Sequence, residues 1–257
     1  MLDAEKYADG PGAETGGEQK RQPPTSLPVL LVMHQLHSTA GHVGRLLQQR
    51  GVPLDVRRPR FGERLPPTLE GHAGAVIFGG PMSANDDEDY LRQEMKLVST
   101  ALREERPFLG LCLGGQMLAK ELGAKVALDP EDHVEIGYFP VEPCDGIEIG
   151  GEWPGQFYQW HREGFDLPAG AKLLARSDGR FENQAFQYGR AAFGTQFHPE
   201  ISYALVSRWS AWNEEKLLLP GAWPRRRQLE DHIVQAPRVL RWLDQFLGEW
   251  LALGKKR

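Results

Sequence analysis

The chain has 257 residues, of which 40% are hydrophobic, and its formal net charge is -5. This length and apolar content suit one large α/β domain, or at most two small ones. The acidic balance, together with the lack of a basic stripe interleaved with aromatic residues, argues against nucleic-acid binding and against attraction to an anionic membrane.

The cysteine content indicates the cellular compartment, and the N-terminal sequence indicates where the folded domain begins. The two cysteines, Cys112 and Cys144, are too few for a disulfide framework and favour a reducing, cytoplasmic location. No apolar run approaches the roughly 20 residues that span a bilayer. Residues 1–27 are rich in Gly, Pro and charge and lack the apolar segment of a secretory signal. We expect 1–27 to be a disordered extension and 28–257 to be one domain with a helical C-terminal segment.

The first half of the chain alternates strand and helix patterns. Short apolar runs bounded by turn residues predict strands at 28–35, 52–59, 73–81 and 106–112. Apolar residues at helical spacing predict helices at 40–51, 86–105 and 113–123. Such alternation predicts an α/β fold with a doubly wound, mostly parallel sheet flanked by helices.

After Ala124 the pattern changes to short strand candidates separated by turn signals. They are residues 124–128, 134–143, 155–161, 171–177, 183–189 and 191–200. We expect a small antiparallel section attached to the parallel core. From about Tyr203 onward, apolar residues recur at spacings of three and four, which predicts helices.

The stretch Gly-Leu-Cys-Leu-Gly-Gly, residues 110–115, places Cys112 where a strand pattern becomes a helix pattern. Gly-x-Cys-x-Gly is the form of a nucleophile elbow, a tight turn that exposes the reactive side chain. The N-terminus of the following helix favours thiolate over thiol, and the N–H of Leu113 is placed to donate to an oxyanion. The motif alone is equally compatible with a buried thiol that packs as a small hydrophobe.

A thiolate nucleophile needs a base that later acts as an acid for the leaving amine. His198 ends a strand-like run, and Glu200 lies two residues on, where a carboxylate can hold the imidazole. Alone, His-Pro-Glu would be read as a surface turn, but its pairing with the cysteine motif favours a Cys-His-Glu triad. The Gly79-Gly80 turn after the third strand can also point a backbone N–H at an oxyanion, although such turns are common between strand and helix.

Three motifs occur together in one order: Gly-Gly-Pro, then Gly-Leu-Cys-Leu-Gly-Gly-Gln, then Phe-His-Pro-Glu. Over roughly residues 28–205 this combination resembles the class I (triad) glutamine amidotransferase family, most closely the stand-alone domains similar to the glutaminase part of GMP synthase. The resemblance implies a flavodoxin-like fold. It also implies that Cys112 attacks the glutamine side-chain amide, that His198 transfers the proton and Glu200 orients it, and that the N–H groups of Gly80 and Leu113 form the oxyanion hole.

The same resemblance implies a set of substrate contacts. Gln116 matches a glutamine that contacts the substrate, although a helix-surface glutamine is the plain alternative. Gly137, Tyr138 and His161 lie in segments that resemble the walls of the glutamine pocket. Tyr138 fits equally well as a core aromatic residue, and His161 as part of a solvated turn.

The resemblance implies no metal and no organic cofactor. His34 and His37 follow the first strand at a spacing that suits a metal pair. No further cluster of metal-binding side chains accompanies them. We therefore predict no metal site.

The implied reaction forms a γ-glutamyl thioester, releases ammonia and then hydrolyses the thioester to glutamate. The sequence has neither a Walker A motif nor a Ser-Gly-Gly-x-Asp-Ser loop, so a synthetase that accepts the ammonia is expected on another polypeptide. One alternative is a stand-alone hydrolase of γ-glutamyl peptides or amides, with water as the final acceptor. Another is a non-catalytic interaction module of the same fold, against which the intact Cys112, His198 and Glu200 argue.

Overall fold

The structure is a computed structural model that describes residues 27–254, so the predicted extension lies outside the described residues except for Leu27. The strands are β1 Val29–Val32, β2 Leu54–Arg57, β3 Gly74–Ile77, β4 Phe108–Leu111, β5 Val126–Leu128, β6 Glu135–Pro140, β7 Glu142–Pro143, β8 Gln156–His161, β9 Glu163–Phe165, β10 Lys172–Arg176, β11 Asn183–Tyr188 and β12 Ala192–Thr195. The α-helices are α1 Gly41–Gln49, α2 Asp89–Arg103, α3 Leu113–Glu121, α4 Tyr203–Trp212 and α5 Arg225–Leu253. Short 3₁₀ segments span Pro59–Phe61 and Glu214–Leu218.

An eight-stranded sheet forms the centre of the fold, in the order β2-β1-β3-β4-β12-β11-β10-β7. The strands from β2 to β12 run parallel to one another, and β11, β10 and β7 continue the sheet in antiparallel fashion. Two antiparallel ribbons, β5-β9 and β6-β8, are separate from this sheet. The predicted parallel core with a small antiparallel section is therefore confirmed.

Both faces of the sheet are covered, because successive side chains of a strand point to opposite faces. From β1, Val29 and Leu31 pack into a core that includes Trp242 of α5 and the buried face of α1. Leu30 and Val32 of the same strand pack into a second core with α2 and α3. This arrangement explains why the strand is a continuous apolar run, and it confirms the doubly wound architecture.

Two local features depart from the sequence pattern. The strand β9 was not predicted, because three residues including a glycine are too few to show alternation. Helix α5 runs without a break through Pro237, where the ring removes one intrahelical hydrogen bond.

None of the helices within residues 27–254 combines the length and the apolar character needed to cross a membrane.

Glycines in β4 and at the start of α3 let this helix cross the sheet at close range. A Cβ atom on Gly110 would lie 2.3 Å from the backbone of Gly114. A Cβ atom on Gly114 would lie 2.2 Å from the carbonyl oxygen of Ile77, and one on Gly115 would lie 2.5 Å from that of Thr195. The glycine spacing around the cysteine is thus required by the packing of α3 on β3, β4 and β12.

Replacing Gly114 with alanine is expected to lower the free energy of unfolding by about 1–3 kcal/mol, the usual effect of overpacking. The added methyl group would meet backbone atoms of Ile77, which cannot rotate away. Equilibrium urea unfolding measures the change. Gly71→Ala is the matched control, because no atom lies within 4 Å of its added Cβ. Equal unfolding free energies for the two variants would contradict the close approach of α3 to the sheet.

Candidate active site

The predicted catalytic residues come together at the carboxyl edge of the parallel strands. Cys112 follows β4, and His198 follows β12, which neighbours β4 in the sheet. Gly79 and Gly80 follow β3 on the other side of β4. All four residues, with Gln116, line one cavity of about 530 Å³. The carboxyl edge is where ligands bind in open α/β sheets, so this cavity is the candidate active site.

Cys112 occupies the N-terminal cap of α3 with φ 50° and ψ -104°. A positive φ costs a residue with a side chain about 1–3 kcal/mol, and such residues cluster at active sites. The N–H of Cys112 donates to the carbonyl of Thr195 at 2.8 Å, and its own carbonyl accepts from the N–H of Gln116 at 2.9 Å. These contacts form a sharp strand-to-helix turn, the geometry that the Gly-x-Cys-x-Gly motif predicts.

Cys112 is 5% exposed, and its thiol has two weak polar neighbours. The Nε2 atom of Gln196 donates toward Sγ at 3.8 Å, and Sγ lies 3.9 Å from the carbonyl oxygen of Trp160. Both contacts are longer than ordinary hydrogen bonds and hold the sulfur only weakly. Gln196 was not predicted, although its place directly before the Phe-His-Pro-Glu motif is a usable signal.

His198 and Glu200 form a buried pair, each 3% exposed. The Nδ1 atom of His198 lies 2.8 Å from Glu200 Oε1, and this nitrogen carries the hydrogen because a carboxylate accepts. Burial alone would lower the pKa of the imidazole, but the negative charges of Glu200 and the Cys112 thiolate raise that pKa to about 10. The Nε2 atom has no hydrogen-bond partner of ordinary length among the described residues.

Gly79 packs against both His198 and Cys112. A Cβ atom on Gly79 would lie 2.6 Å from Cε1 of His198 and 3.4 Å from Cβ of Cys112. Any side chain at this position would therefore clash with the imidazole ring. The first glycine of the Gly-Gly-Pro motif is therefore required by the closeness of these two residues.

The N-terminus of α1 supports Glu200 from behind. The N–H of His42 donates to the carbonyl of Glu200 at 2.8 Å, and a Cβ on Gly41 would lie 2.1 Å from the same oxygen. On the other side, the indole of Trp209 in α4 meets the ring of His198 edge-on, with 5.0 Å between the ring centroids. No sequence pattern predicts these contacts with the His198–Glu200 pair.

Gln116, a predicted substrate contact, lines the cavity, but its amide nitrogen already has protein partners. Its Nε2 atom donates to the carbonyl of Glu163 at 2.9 Å and lies 3.3 Å from Oε1 of Gln196. These contacts leave the side-chain oxygen as the atom that a ligand would meet.

His161 also lines the cavity, and both of its ring nitrogens face acceptors. Nδ1 lies 3.0 Å from the carbonyl oxygen of Glu163, and Nε2 lies 3.0 Å from Oε2 of Glu135. The same Glu135 oxygen accepts from Gln184 at 3.1 Å. The side chain of His161 is buried, so the solvated-turn alternative is wrong. The histidine joins β8, β9 and β6 at the cavity wall, and a role in binding substrate stays a prediction.

Tyr138 and Gly137 lie on β6, but the Tyr138 side chain does not reach the cavity. Ile136 of this strand lines the cavity, and Tyr138 lies two residues, or about 7 Å, further along the same face. Its hydroxyl is hydrogen-bonded to Nδ1 of His232 at 2.8 Å, the position that the core-aromatic alternative predicts. A Cβ on Gly137 would lie 2.4 Å from the indole of Trp223. Gly137 and Tyr138 could therefore contact a substrate only through backbone atoms. A contact of this kind stays a prediction.

His34 and His37 do not face a common ligand. His34 is fully buried, whereas His37 is exposed. Within residues 27–254, no group of three or more His, Cys, Asp or Glu side chains is arranged to hold a metal ion.

Comparison with known proteins gives consistent matches. Residues 36–205 match the family model of glutamine amidotransferase class-I. The chain is 30% identical over 200 residues to the putative glutamine amidotransferase-like protein YfeJ of Salmonella typhimurium, and the match covers 74% of this chain and 82% of that protein. It is 32% identical over 170 residues to the glutamine-hydrolyzing GMP synthase of Aeropyrum pernix, a match that covers 65% of this chain but only 31% of that enzyme. The crystal structure of a glutamine amido transferase from Methylobacillus flagellatus superimposes with a TM-score of 0.82 at 30% identity, covering 90% of this chain and 97% of that one.

Proposed function

Because the chain belongs to the glutamine amidotransferase class-I family, we propose that it hydrolyses the side-chain amide of glutamine through a covalent intermediate on Cys112. The observation that carries this proposal is a cysteine on a strained elbow beside a histidine whose Nδ1 is bound by a buried carboxylate. A nucleophile, a base and a third group that orients the base are the parts that covalent acyl transfer needs.

In the proposed reaction, Sγ of Cys112 attacks the amide carbon, and the N–H groups of Leu113 and Gly80 stabilise the oxyanion. His198 gives its proton to the leaving nitrogen, so that ammonia departs and a γ-glutamyl thioester remains. Water then attacks the thioester with His198 as base, which releases glutamate and restores the thiol. Glu200 holds Nδ1 throughout and stabilises the imidazolium.

Two electrostatic features support these roles. The pKa of His198, raised to about 10 by Glu200 and the Cys112 thiolate against the opposing effect of burial, keeps a proton available for the leaving nitrogen at neutral pH. Cys112 caps the N-terminus of α3, so the positive end of the helix dipole lies where it can stabilise a negatively charged intermediate.

The size of the cavity favours a second candidate, hydrolysis of γ-glutamyl peptides or amides. A volume of about 530 Å³ lies within the range of about 300–1,000 Å³ that holds drug-sized ligands. Part of its wall comes from α4 and the segment after it, through Trp209, Asn213, Lys216 and Leu219. A leaving amine larger than ammonia fits such a space, and the same triad serves this reaction.

In the glutaminase proposal, the ammonia is passed to a synthetase on a separate polypeptide. The match to the Aeropyrum pernix GMP synthase covers 31% of that enzyme, so most of its length is not matched by this chain. A cytoplasmic location stays a prediction, which rests on the presence of only two cysteines in the sequence.

Purified protein is expected to release ammonia from L-glutamine or glycine from γ-glutamylglycine, and a coupled assay of each product measures this. Faster turnover of γ-glutamylglycine supports the peptide hydrolase. Glutamine turnover that rises when a candidate synthetase is added supports the amidotransferase. If protein whose Cys112 reacts normally with iodoacetamide turned over neither compound, with or without such a partner, the result would contradict both.

A further inference from the structure

A buried histidine–glutamate pair lies directly behind the Gly-Gly turn. His34 follows β1, Glu94 lies on α2, and both side chains are 0% exposed. Nε2 of His34 lies 2.7 Å from Oε2 of Glu94, and Nδ1 lies 3.1 Å from the carbonyl oxygen of Gly79. Burial of such a pair is costly, and neither residue touches the reacting atoms in the proposed mechanism.

The contact with Gly79 fixes one peptide plane. A carbonyl oxygen only accepts, so Nδ1 of His34 donates to it. The described peptide bonds include no cis bond, so the Gly79 C=O and the Gly80 N–H point in opposite directions. Holding the carbonyl against His34 therefore turns the Gly80 N–H away from His34. Gly80 lines the cavity, and His34 is not among the lining residues.

The glycines leave this peptide free to turn unless something holds it. Without a Cβ, each glycine adopts positive and negative φ about equally readily. A Cβ on Gly80 would lie 3.0 Å from Cγ of His34, so the imidazole packs directly against this residue. Gly79 meanwhile lies against His198 and Cys112. His34 thus holds a peptide that adjoins the reacting pair.

We propose that His34 and Glu94 are positioning residues that keep the Gly79–Gly80 peptide with the Gly80 N–H aimed at the developing oxyanion. This inference rests on the proposed function and adds two residues that it does not use. Glu94 aims the imidazole through Nε2, and its second oxygen, Oε1, has no hydrogen-bond partner among the described residues. His34 is therefore the only hydrogen-bond partner of this carboxylate among the described residues.

His34→Ala is expected to lower kcat for γ-glutamyl turnover by about 10- to 100-fold, below the roughly 100- to 1,000-fold that loss of an oxyanion donor costs. KM is expected to change little, because the oxyanion forms only after substrate binds. Alkylation of Cys112 by iodoacetamide, a displacement without an oxyanion, is expected to keep its wild-type rate. Wild-type kcat in this variant, or an equal loss of alkylation and turnover, would overturn the proposal.

Three further variants separate positioning from folding. His72→Ala removes another histidine–carboxylate contact, the partly buried one in which Nε2 of His72 lies 3.0 Å from Asp55. Neither residue lines the cavity, and this variant is expected to keep wild-type kcat. Glu94→Gln retains an oxygen acceptor for Nε2 and is expected to lose less kcat than Glu94→Ala. Equal losses in all of these variants would also overturn the assignment.

A structural measurement tests the positioning role of His34 independently of the proposed function. If the wild type turns over neither glutamine nor γ-glutamylglycine, the proposed function fails, and crystal structures of the wild type and His34→Ala then decide the positioning role. A Gly79 carbonyl that turns in the variant supports the role. A carbonyl that keeps its direction without His34 overturns it.

Discussion

Replacing Cys112 with alanine is expected to reduce release of ammonia or amine from γ-glutamyl compounds to background, a loss of about 10⁴-fold or more. Without Sγ no thioester forms, and no other described residue that lines the cavity is a thiol. The variant is expected to fold, because the thiol makes only weak polar contacts at 3.8 Å and 3.9 Å and alanine adopts the turn at a similar cost. Initial-rate assays with glutamine and γ-glutamylglycine measure the loss.

Cys144→Ala is the matched control for this experiment. Cys144 is the other free cysteine, partly exposed and adjacent to β7, away from the cavity wall. Its replacement is expected to leave turnover at the wild-type level. Wild-type turnover in the Cys112→Ala variant would rule out the thiol as the nucleophile.

His198→Ala is expected to lower turnover by about 10²- to 10⁴-fold, the usual contribution of a positioned acid and base. It should also slow alkylation of Cys112 by iodoacetamide at pH 7, because the thiolate loses its cationic neighbour. In the wild type, burial alone would lower the pKa of His198, but Glu200 and the Cys112 thiolate raise it to about 10. The imidazolium therefore persists through neutral pH and is lost only as the pH rises through about 10.

The pH dependence of Cys112 alkylation tests whether the positive charge of His198 speeds this reaction. The two rates should differ most near neutral pH and converge toward pH 10, where wild-type His198 loses its proton and ordinary thiols, with a pKa of about 8.5, are ionised. His42→Ala is the control, because burial lowers the pKa of His42 to about 4 and leaves that ring neutral at pH 7. Superimposable profiles for the wild type and His198→Ala would contradict an ion pair at the site.

Much of the fold could be predicted because its signals are local. A parallel strand buried on both faces is a continuous apolar run, as in β1, and the helices between the strands carry one apolar face each. The separate ribbons β5-β9 and β6-β8 could not be predicted, because strand pairing depends on tertiary contacts. The residues of β9 gave no strand pattern, yet they carry the carbonyl that holds Gln116.

The residues of the candidate site also differ in whether a local sequence signal predicts them. Cys112, His198 and Glu200 stand in short motifs, so their proximity follows once β4 and β12 are neighbours. The His34–Glu94 contact joins residues 60 positions apart, and no spacing rule links them. One signal was available: Glu94 interrupts the apolar face of α2, three residues after Leu91. A carboxylate in that position needs a buried partner.

Covalent catalysis requires a γ-glutamyl thioester on Cys112 during turnover. The direct measurement is mass spectrometry of the Cys112 peptide, after protein in steady-state turnover of its better substrate is quenched in acid and digested. The Cys112 peptide is expected to carry the mass of one γ-glutamyl group, and the Cys144 peptide is expected to be unmodified. An unmodified Cys112 peptide from an enzyme saturated with substrate, under conditions in which release of the first product outpaces thioester hydrolysis, would contradict the mechanism.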